Sequence, residues 1–108
     1  MAKKKKYITD AFEIAVQQFG DTPELRARIE QHQFNMRIAQ LIYDSRQKAG
    51  LTQKQLAELI GTKQQVIARL EDADYEGHSL TMLQRIAAAL GRRLEVSMTP
   101  IRRRRKPA

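Results

Sequence analysis

Hydrophobic residues recur at intervals of three or four through most of the chain, and this spacing predicts amphipathic α-helices. The first such run, YITDAFEIAVQQF, is ended by Gly20. The next run has Thr22 as a predicted N-cap, Pro23 at the first helical position and Gly50 as its stop. A helix of about 27 residues is long for a globular protein, so the sequence leaves open a break near residues 32–35. The second half of this run places one group of residues on a single, largely apolar face: Phe34, Ile38, Leu41, Ile42 and Ser45.

The stretch LTQKQLAELIGTKQQVIARLE predicts two short helices joined at Gly61. Each helix opens with Thr-x-x-Gln, which fits a capping box in which the two side chains bond to each other's backbone N–H groups. We expect the first helix to bury Leu56, Leu59 and Ile60, and the second to bury Ile67 and Leu70. A polar loop, EDADYEGHS, precedes a last helix whose apolar stripe contains Leu80, Leu83, Ala87 and Leu90 and which Gly91 closes.

After Gly91 the period changes to two. In RRLEVSMTP the apolar Leu94, Val96 and Met98 alternate with polar residues, which predicts a half-buried strand ended by Pro100. A single strand leaves its backbone groups unpaired. The simplest partner is the same strand of a second copy across a twofold axis. The alternatives are a sheet edge in another protein or a coil packed on the helices.

The predicted fold is all-α: a helix-turn-helix bundle of five to six helices with an N-terminal helical extension and one short C-terminal strand. The sequence predicts five parts of the chain: a basic N-terminal tail (1–6), the helical extension (7–35), the helix-turn-helix domain (36–91), the dimerisation strand (92–100) and a basic C-terminal tail (101–108).

Composition fits a single soluble domain. The chain has 108 residues, of which 42% are hydrophobic and 30% charged. It contains no cysteine, which favours a reducing compartment. The sequence shows neither an apolar run long enough to span a bilayer nor the apolar region of a signal peptide. These features predict a cytoplasmic protein without a membrane partner.

The net charge of +8 is concentrated at the two ends of the chain. Lys3–Lys6 and Arg102–Lys106 together hold nine positive charges, whereas residues 7–101 carry 11 basic and 12 acidic side chains, a net charge of −1. A high isoelectric point therefore does not by itself indicate a basic DNA-binding face. The ends are either arms that contact phosphates or solvated tails.

The chemistry at the start of the second short helix suits DNA recognition. In a helix-turn-helix, the first turn of the second helix enters the major groove. Glutamine can bond to adenine N6 and N7, and lysine to guanine O6 and N7. Lys63, Gln64 and Gln65 are therefore predicted to contact bases, and Arg69, further along the helix, a base or a phosphate. The alternative is an ordinary solvated helix face, since Lys and Gln are good helix formers.

These residues also carry a family resemblance. The stretch GLTQKQLAELIGTKQQVIARLE…SLTMLQRIAAALG resembles the XRE, or lambda-repressor-like, helix-turn-helix domain, and the match covers residues 36–91. The longer context, with its helical N-terminal extension, resembles HigA-type antitoxins of bacterial toxin–antitoxin modules. The terminal LEVSMT is similar to the strand that closes the dimer in HipB-type antitoxins.

The resemblance implies roles for particular residues. Gln53 matches a glutamine that contacts a phosphate and braces a second glutamine, which Gln64 matches. Arg69 falls where the family also reaches DNA. Lys63 departs from the family, which commonly has serine there, and the match would place this residue at the N-cap instead of Thr62. The full set predicted to contact phosphates is Arg46, Thr52, Gln53 and Lys54.

The polar loop is a second departure. Asp72, Asp74 and Glu76 are acidic, and acidic charge beside DNA lowers affinity. Either the loop turns away from the duplex or it binds a basic partner, such as the basic RNase toxins that pair with HigA-type antitoxins. The resemblance therefore implies an antitoxin that neutralises a RelE/HigB-like toxin and represses its operon, with an operator DNA, a toxin and a second copy as partners.

Two alternatives stay open: a phage- or plasmid-type repressor without a toxin, and a protein-interaction module that does not bind DNA. Enzyme activity, a metal site and a cofactor are not expected. His32 and His78 are far apart in the chain, and no serine or threonine has a recognisable base partner.

Overall fold

The structure, a computed structural model, describes residues 13–101. Within that range the chain forms five helical segments. They are α1 (residues 13–19), α2 (Pro23–Lys48), α3 (Gln53–Ile60), α4 (Gln64–Leu70) and α5 (Leu80–Ala89). The two basic tails and the start of the first predicted helix lie outside the described residues.

The long helix α2 is continuous over 26 residues, and no break occurs at residues 32–35. Its N-terminus follows the predicted pattern, because Thr22 Oγ1 accepts the Leu25 N–H at 3.1 Å and Pro23 occupies the first turn. Near residue 32, where the sequence leaves a break open, Gln31 Nε2 donates to Asn35 Oδ1 at 3.2 Å. Such an i,i+4 pair stabilises the helix across this region.

The turn between α3 and α4 differs from the prediction at Thr62. The capping box at the start of α3 is confirmed, since Thr52 Oγ1 accepts the Gln55 N–H at 3.0 Å and Gln55 Oε1 accepts the Thr52 N–H at 2.8 Å. Gly61 then adopts a left-handed φ of 82°, and the Thr62 N–H bonds back to Ala57 O at 2.9 Å. Thr62 therefore closes α3, and the predicted second capping box is wrong.

The core forms where α2, α3, α4 and α5 meet. Its buried members are Ile42, Leu56, Ala57, Ile67, Leu70, Leu83 and Ile86. Leu59 and Leu80, which the sequence predicts to be buried, are exposed. Phe34 and Leu41, on the predicted apolar face of α2, are each about half exposed. Leu59 lies about 100° around α3 from Ile60, which turns it away from the side of the helix that meets α4 and α5.

The predicted C-terminal strand does not form. Residues 92–101 are not in a strand. The Arg92 N–H bonds to Ala87 O at 2.7 Å, and residues 93–101 make no backbone hydrogen bond within residues 13–101. The physical reason is that strand hydrogen bonds require a neighbouring strand, and residues 13–101 supply none. Within the described range the fold is therefore helical throughout.

No helix in this range is long and apolar enough to cross a membrane.

Candidate nucleic-acid interface

Helix α4 buries one side and exposes the other. Ile67 and Leu70 lie in the core, and these two anchors fix how the helix is rotated. At 3.6 residues per turn, Gln64 and Gln65 then fall on the outer side, and both side chains are exposed. Arg69 is exposed on the same side, one turn further along.

The first turn of α4 begins without a side-chain cap. Lys63 is the N-cap residue, in extended conformation, and makes no capping hydrogen bond. The ambiguity between Thr62 and Lys63 is thus resolved in favour of Lys63, as the family resemblance implied. Gln64 becomes the first helical residue, and the first N–H groups of a helix can donate to an incoming polar group.

Sequence reasoning missed Ala68. This residue is exposed and lies one turn after Gln64, between the two glutamines and Arg69 on the outer side of α4. An alanine on such a face can contact the methyl group of thymine. Helical periodicity counted from Ile67 and Leu70 places Ala68 on the outer side, but alanine carries no polar group that would mark it as a DNA contact.

Helix α3 packs directly against α4, and the start of α3 lies beside the end of α4, where Gln53 reaches Glu71. Lys54 is exposed at this end, and Gln53 is partly buried. The hydroxyl of Thr52 is already used as the acceptor of its capping bond.

Arg46 does not belong to the exposed surface, and in this conformation its guanidinium is not free to make the predicted contact with a phosphate. Its side chain is only 7% exposed, and that of its partner Glu71 only 4%. The guanidinium donates to Glu71 through Nε at 2.7 Å and through Nη2 at 2.9 Å, and Nη1 donates to Leu51 O at 2.8 Å. With three nitrogens occupied inside the protein, Arg46 joins α2 to the end of α4 and to the turn before α3.

Gln53 bonds to Glu71 instead of bracing Gln64. Its Nε2 lies 3.3 Å from Glu71 Oε1, and the hydrogen bonds of residues 13–101 include none between Gln53 and Gln64. A carboxylate is a stronger acceptor than a neutral amide, which explains the preference. The remaining N–H of Gln53 stays available to a phosphate.

The pKa of Arg46 is raised above its ordinary value, and the largest cause is the hydrogen bond to Glu71. Because Arg46 is paired with Glu71 inside the protein, it contributes no free charge to the outer surface.

The acidic loop lies at the far end of α4 from the recognition turn. Asp72 Oδ1 accepts the Asp74 N–H at 2.9 Å, and His78 Nε2 lies 2.7 Å from Leu70 O, so that both ends of the loop are held. Asp74 Oδ1 lies 4.0 Å from His32 Nε2 on α2. The seven residues of α4 span about 10 Å, roughly one Debye length. Repulsion between the loop and a phosphate at Gln64 is therefore weakened by screening.

Comparison with known proteins agrees with this geometry. A profile of the helix-turn-helix family HTH_3 matches residues 42–96, which contain α3, α4 and α5. The chain belongs to this helix-turn-helix family. Proteins of the family are typically transcription regulators and not enzymes, and the family implies DNA binding.

Two curated relatives support the same conclusion. One, from Methanothermobacter thermautotrophicus, is 48% identical over 52 residues, which is 48% of this chain and 74% of the relative. The other, from Haemophilus influenzae, is 40% identical over 70 residues, 63% of this chain and 68% of the relative. Both are named uncharacterized HTH-type transcriptional regulators. No solved structure matches the chain significantly.

Proposed function

We propose that this helix-turn-helix protein is an antitoxin that binds its own operator as a dimer, represses its operon and neutralises a RelE/HigB-like toxin in the cytoplasm. The observation that carries the DNA-binding part is the rotation of α4. Ile67 and Leu70 anchor it in the core and leave Gln64 and Gln65 facing outward at its free N-terminal turn.

In this proposal the contacts divide by chemistry. Lys63, Gln64 and Gln65 contact base edges in the major groove, with Arg69 reaching a base or phosphate further along. Lys54, Gln53 and the backbone at Thr52 contact phosphates and set the register of the protein on the duplex.

Two copies would read a pseudo-palindromic operator whose half-sites lie about 10 bp apart or a multiple of that. The predicted dimer residues were Leu94, Val96 and Met98. Leu94 packs on its own core, whereas Val96 and Met98 are exposed and free to contact a second copy.

The toxin-binding part of the proposal is supported by two surfaces that DNA reading does not use. Asp72, Asp74 and Glu76 form an exposed acidic loop that suits a basic partner. Ile14 on α1 and Phe19 at its end are exposed and apolar, in the extension that precedes the matched helix-turn-helix region.

The DNA-binding part is tested by a mobility-shift titration of the protein on the region upstream of its own gene and on a shuffled duplex of the same length. We expect binding to the native region at least about 10³-fold tighter than to the shuffled duplex at physiological salt. Equal affinity for the two would favour the interaction module that does not bind DNA.

The toxin-binding part is tested by co-expression of the native operon and purification of what the protein retains. A triple variant should release a retained toxin; it combines Asp72→Asn, Asp74→Lys and Glu76→Lys. The charge of the loop is reversed, while the Oδ1 acceptor at position 72 still holds the backbone N–H of residue 74. Glu58→Lys, a matched exposed acid on α3, should leave retention intact. Retention unaffected by the loop triple variant would contradict the role of the loop.

The second candidate function is a repressor without a toxin partner. The names of the two relatives favour it, since both describe transcriptional regulators. A protein that binds its operator but retains nothing from its operon would decide for this candidate.

A further inference from the structure

An open groove of about 390 Å³ lies between α2, α5 and the beginning of the C-terminal segment. Its walls are mainly apolar and include Leu41 of α2, Ala87 of α5 and Leu90, which directly follows α5. Leu94 closes one side and packs on the core. Leu41 is 49% exposed even though it borders the core. Such a surface is costly to leave in water.

The segment that leaves this groove exposes apolar side chains. Val96 is 70% exposed, Met98 97% and Ile101 79%. Their backbone groups are also unpaired within residues 13–101, because no backbone hydrogen bond forms there beyond Arg92. An apolar groove and an apolar segment therefore adjoin each other, and the segment does not fill the groove of its own chain.

We propose that the groove seats the C-terminal segment of a second copy, residues 96–101, and that the two copies exchange these segments reciprocally across a twofold axis. The inference deepens the proposed function, on which it rests for the requirement of two recognition helices. It differs from strand-to-strand pairing, because here the segment contacts α2 and α5 of its partner.

The charges at the groove favour a second copy over another protein. Arg92, Arg93 and Glu95 all line the rim, so this surface carries both signs. A twofold contact brings the same patch on both subunits together, and a patch with both signs can be complementary to itself. Arg93 pairs with Glu95 at 3.0 Å, whereas the ion pairs of the described residues include none for Arg92.

The groove is also compatible with DNA reading. Its lining comes from α2, α5, Leu90 and residues 92–95, and none of it comes from α3 or α4. A dimer formed in this way leaves both recognition turns exposed.

The first test is the mass of the full chain in solution, without DNA. The wild type should sediment as a dimer of the 12.5 kDa chain. Met98→Glu and Leu41→Glu should each weaken dimerisation by about tenfold or more, from loss of one buried apolar side chain. Leu59→Glu is the matched control, since this leucine is exposed outside the groove and its replacement should leave the dimer intact.

Folding is checked by circular dichroism and by the unfolding midpoint at a concentration where every variant is monomeric. Because Met98 is almost fully exposed, its replacement should change neither. A monomeric wild type, as expected if the groove is kept for a different protein, would overturn the inference, as would a Met98→Glu variant that stays dimeric.

The second test uses the absence of cysteine from the chain. Leu41→Cys protein is mixed, in separate experiments, with Val96→Cys, Met98→Cys and Ile101→Cys protein and oxidised. At least one mixture should yield a disulfide-linked heterodimer. If each segment variant links only to itself and never to position 41, the copies pair strand to strand and the groove inference is wrong.

Failure of this inference is distinguishable from failure of the proposed function. Gln64→Ala should weaken operator preference by about 5- to 150-fold without changing the mass, whereas Met98→Glu should lower the mass and keep weak binding to random DNA. A wild-type dimer linked through position 41 that shows no operator preference would refute the proposed function alone.

Discussion

The buried ion pair between Arg46 and Glu71 connects three parts of the helix-turn-helix, and its removal has a calculable cost. Glu71→Ala removes both carboxylate bonds of Arg46, whose side chain is only 7% exposed in the wild-type structure. Breaking one side of a buried pair typically costs about 3–5 kcal/mol. Since a domain of this size is stable by about 5–15 kcal/mol, the variant should lose a large fraction of its stability.

A compensating variant separates charge burial from simple loss of contact. Arg46→Met combined with Glu71→Leu removes both charges and restores apolar packing, which is often neutral or stabilising relative to the ion pair. We therefore expect the double variant to recover most of the stability lost by Glu71→Ala. Its operator affinity should stay reduced, because Gln53 has lost the carboxylate to which it bonds.

A surface ion pair of the same geometry provides the control. Arg26 contacts Asp21 through two nitrogens, both at 2.6 Å, but the two side chains are 58% and 42% exposed. Asp21→Asn should lower the unfolding free energy far less than Glu71→Ala, because solvent screens an exposed pair.

The assay is urea unfolding followed by circular dichroism, with free energies from linear extrapolation. Because the pKa of Arg46 is raised, its contribution to stability is fully present below the ordinary guanidinium pKa and is lost only as pH rises through the higher folded value. The cost of Glu71→Ala should therefore be the same at about pH 7 and pH 9. A cost below about 1 kcal/mol, or a double variant no more stable than Glu71→Ala, would refute this reasoning.

Three further predictions concern stability and are read by the same unfolding assay. Gly61→Ala should cost about 1–2 kcal/mol, because φ is 82° there although no atom within 4 Å obstructs a Cβ; an unchanged midpoint would contradict the left-handed turn. Lys63→Ser should gain about 0.5–1 kcal/mol by supplying the missing cap of α4 while changing operator preference; a loss of stability would argue against Lys63 as N-cap. Asn35→Leu should gain about 1 kcal/mol, since Asn35 is buried and its Nδ2 has no partner among residues 13–101; destabilisation would show that this amide is satisfied.

Local signals predicted the helices well. Thr22, Thr52 and Gly61 act through groups within a few residues of themselves, so their roles as caps and stops are visible in the sequence. Thr62 shows the limit of such signals. Its capping pattern competes with the closing bond of α3, and the backbone geometry that Gly61 imposes decides the outcome.

Features that depend on distant residues were not visible. Arg46 reads as a free cation until Glu71, 25 positions away, is placed beside it. Leu59 fits the apolar pattern of α3, but its burial depends on which side of that short helix the neighbouring helices cover. The alternating pattern of Leu94–Met98 is real in the sequence, yet a strand also needs a partner that residues 13–101 do not contain.

The central claim, that the first turn of α4 reads bases while the start of α3 holds phosphates, is tested most directly by comparing Gln64→Ala with Lys54→Ala. Affinities for the native operator and for random DNA are measured over a range of salt concentrations. Gln64→Ala should cost about 1–3 kcal/mol on the operator only. Lys54→Ala should weaken both duplexes alike and lower the salt slope by about one. If Gln64→Ala weakened both duplexes equally, or changed neither, α4 would not be the reading helix.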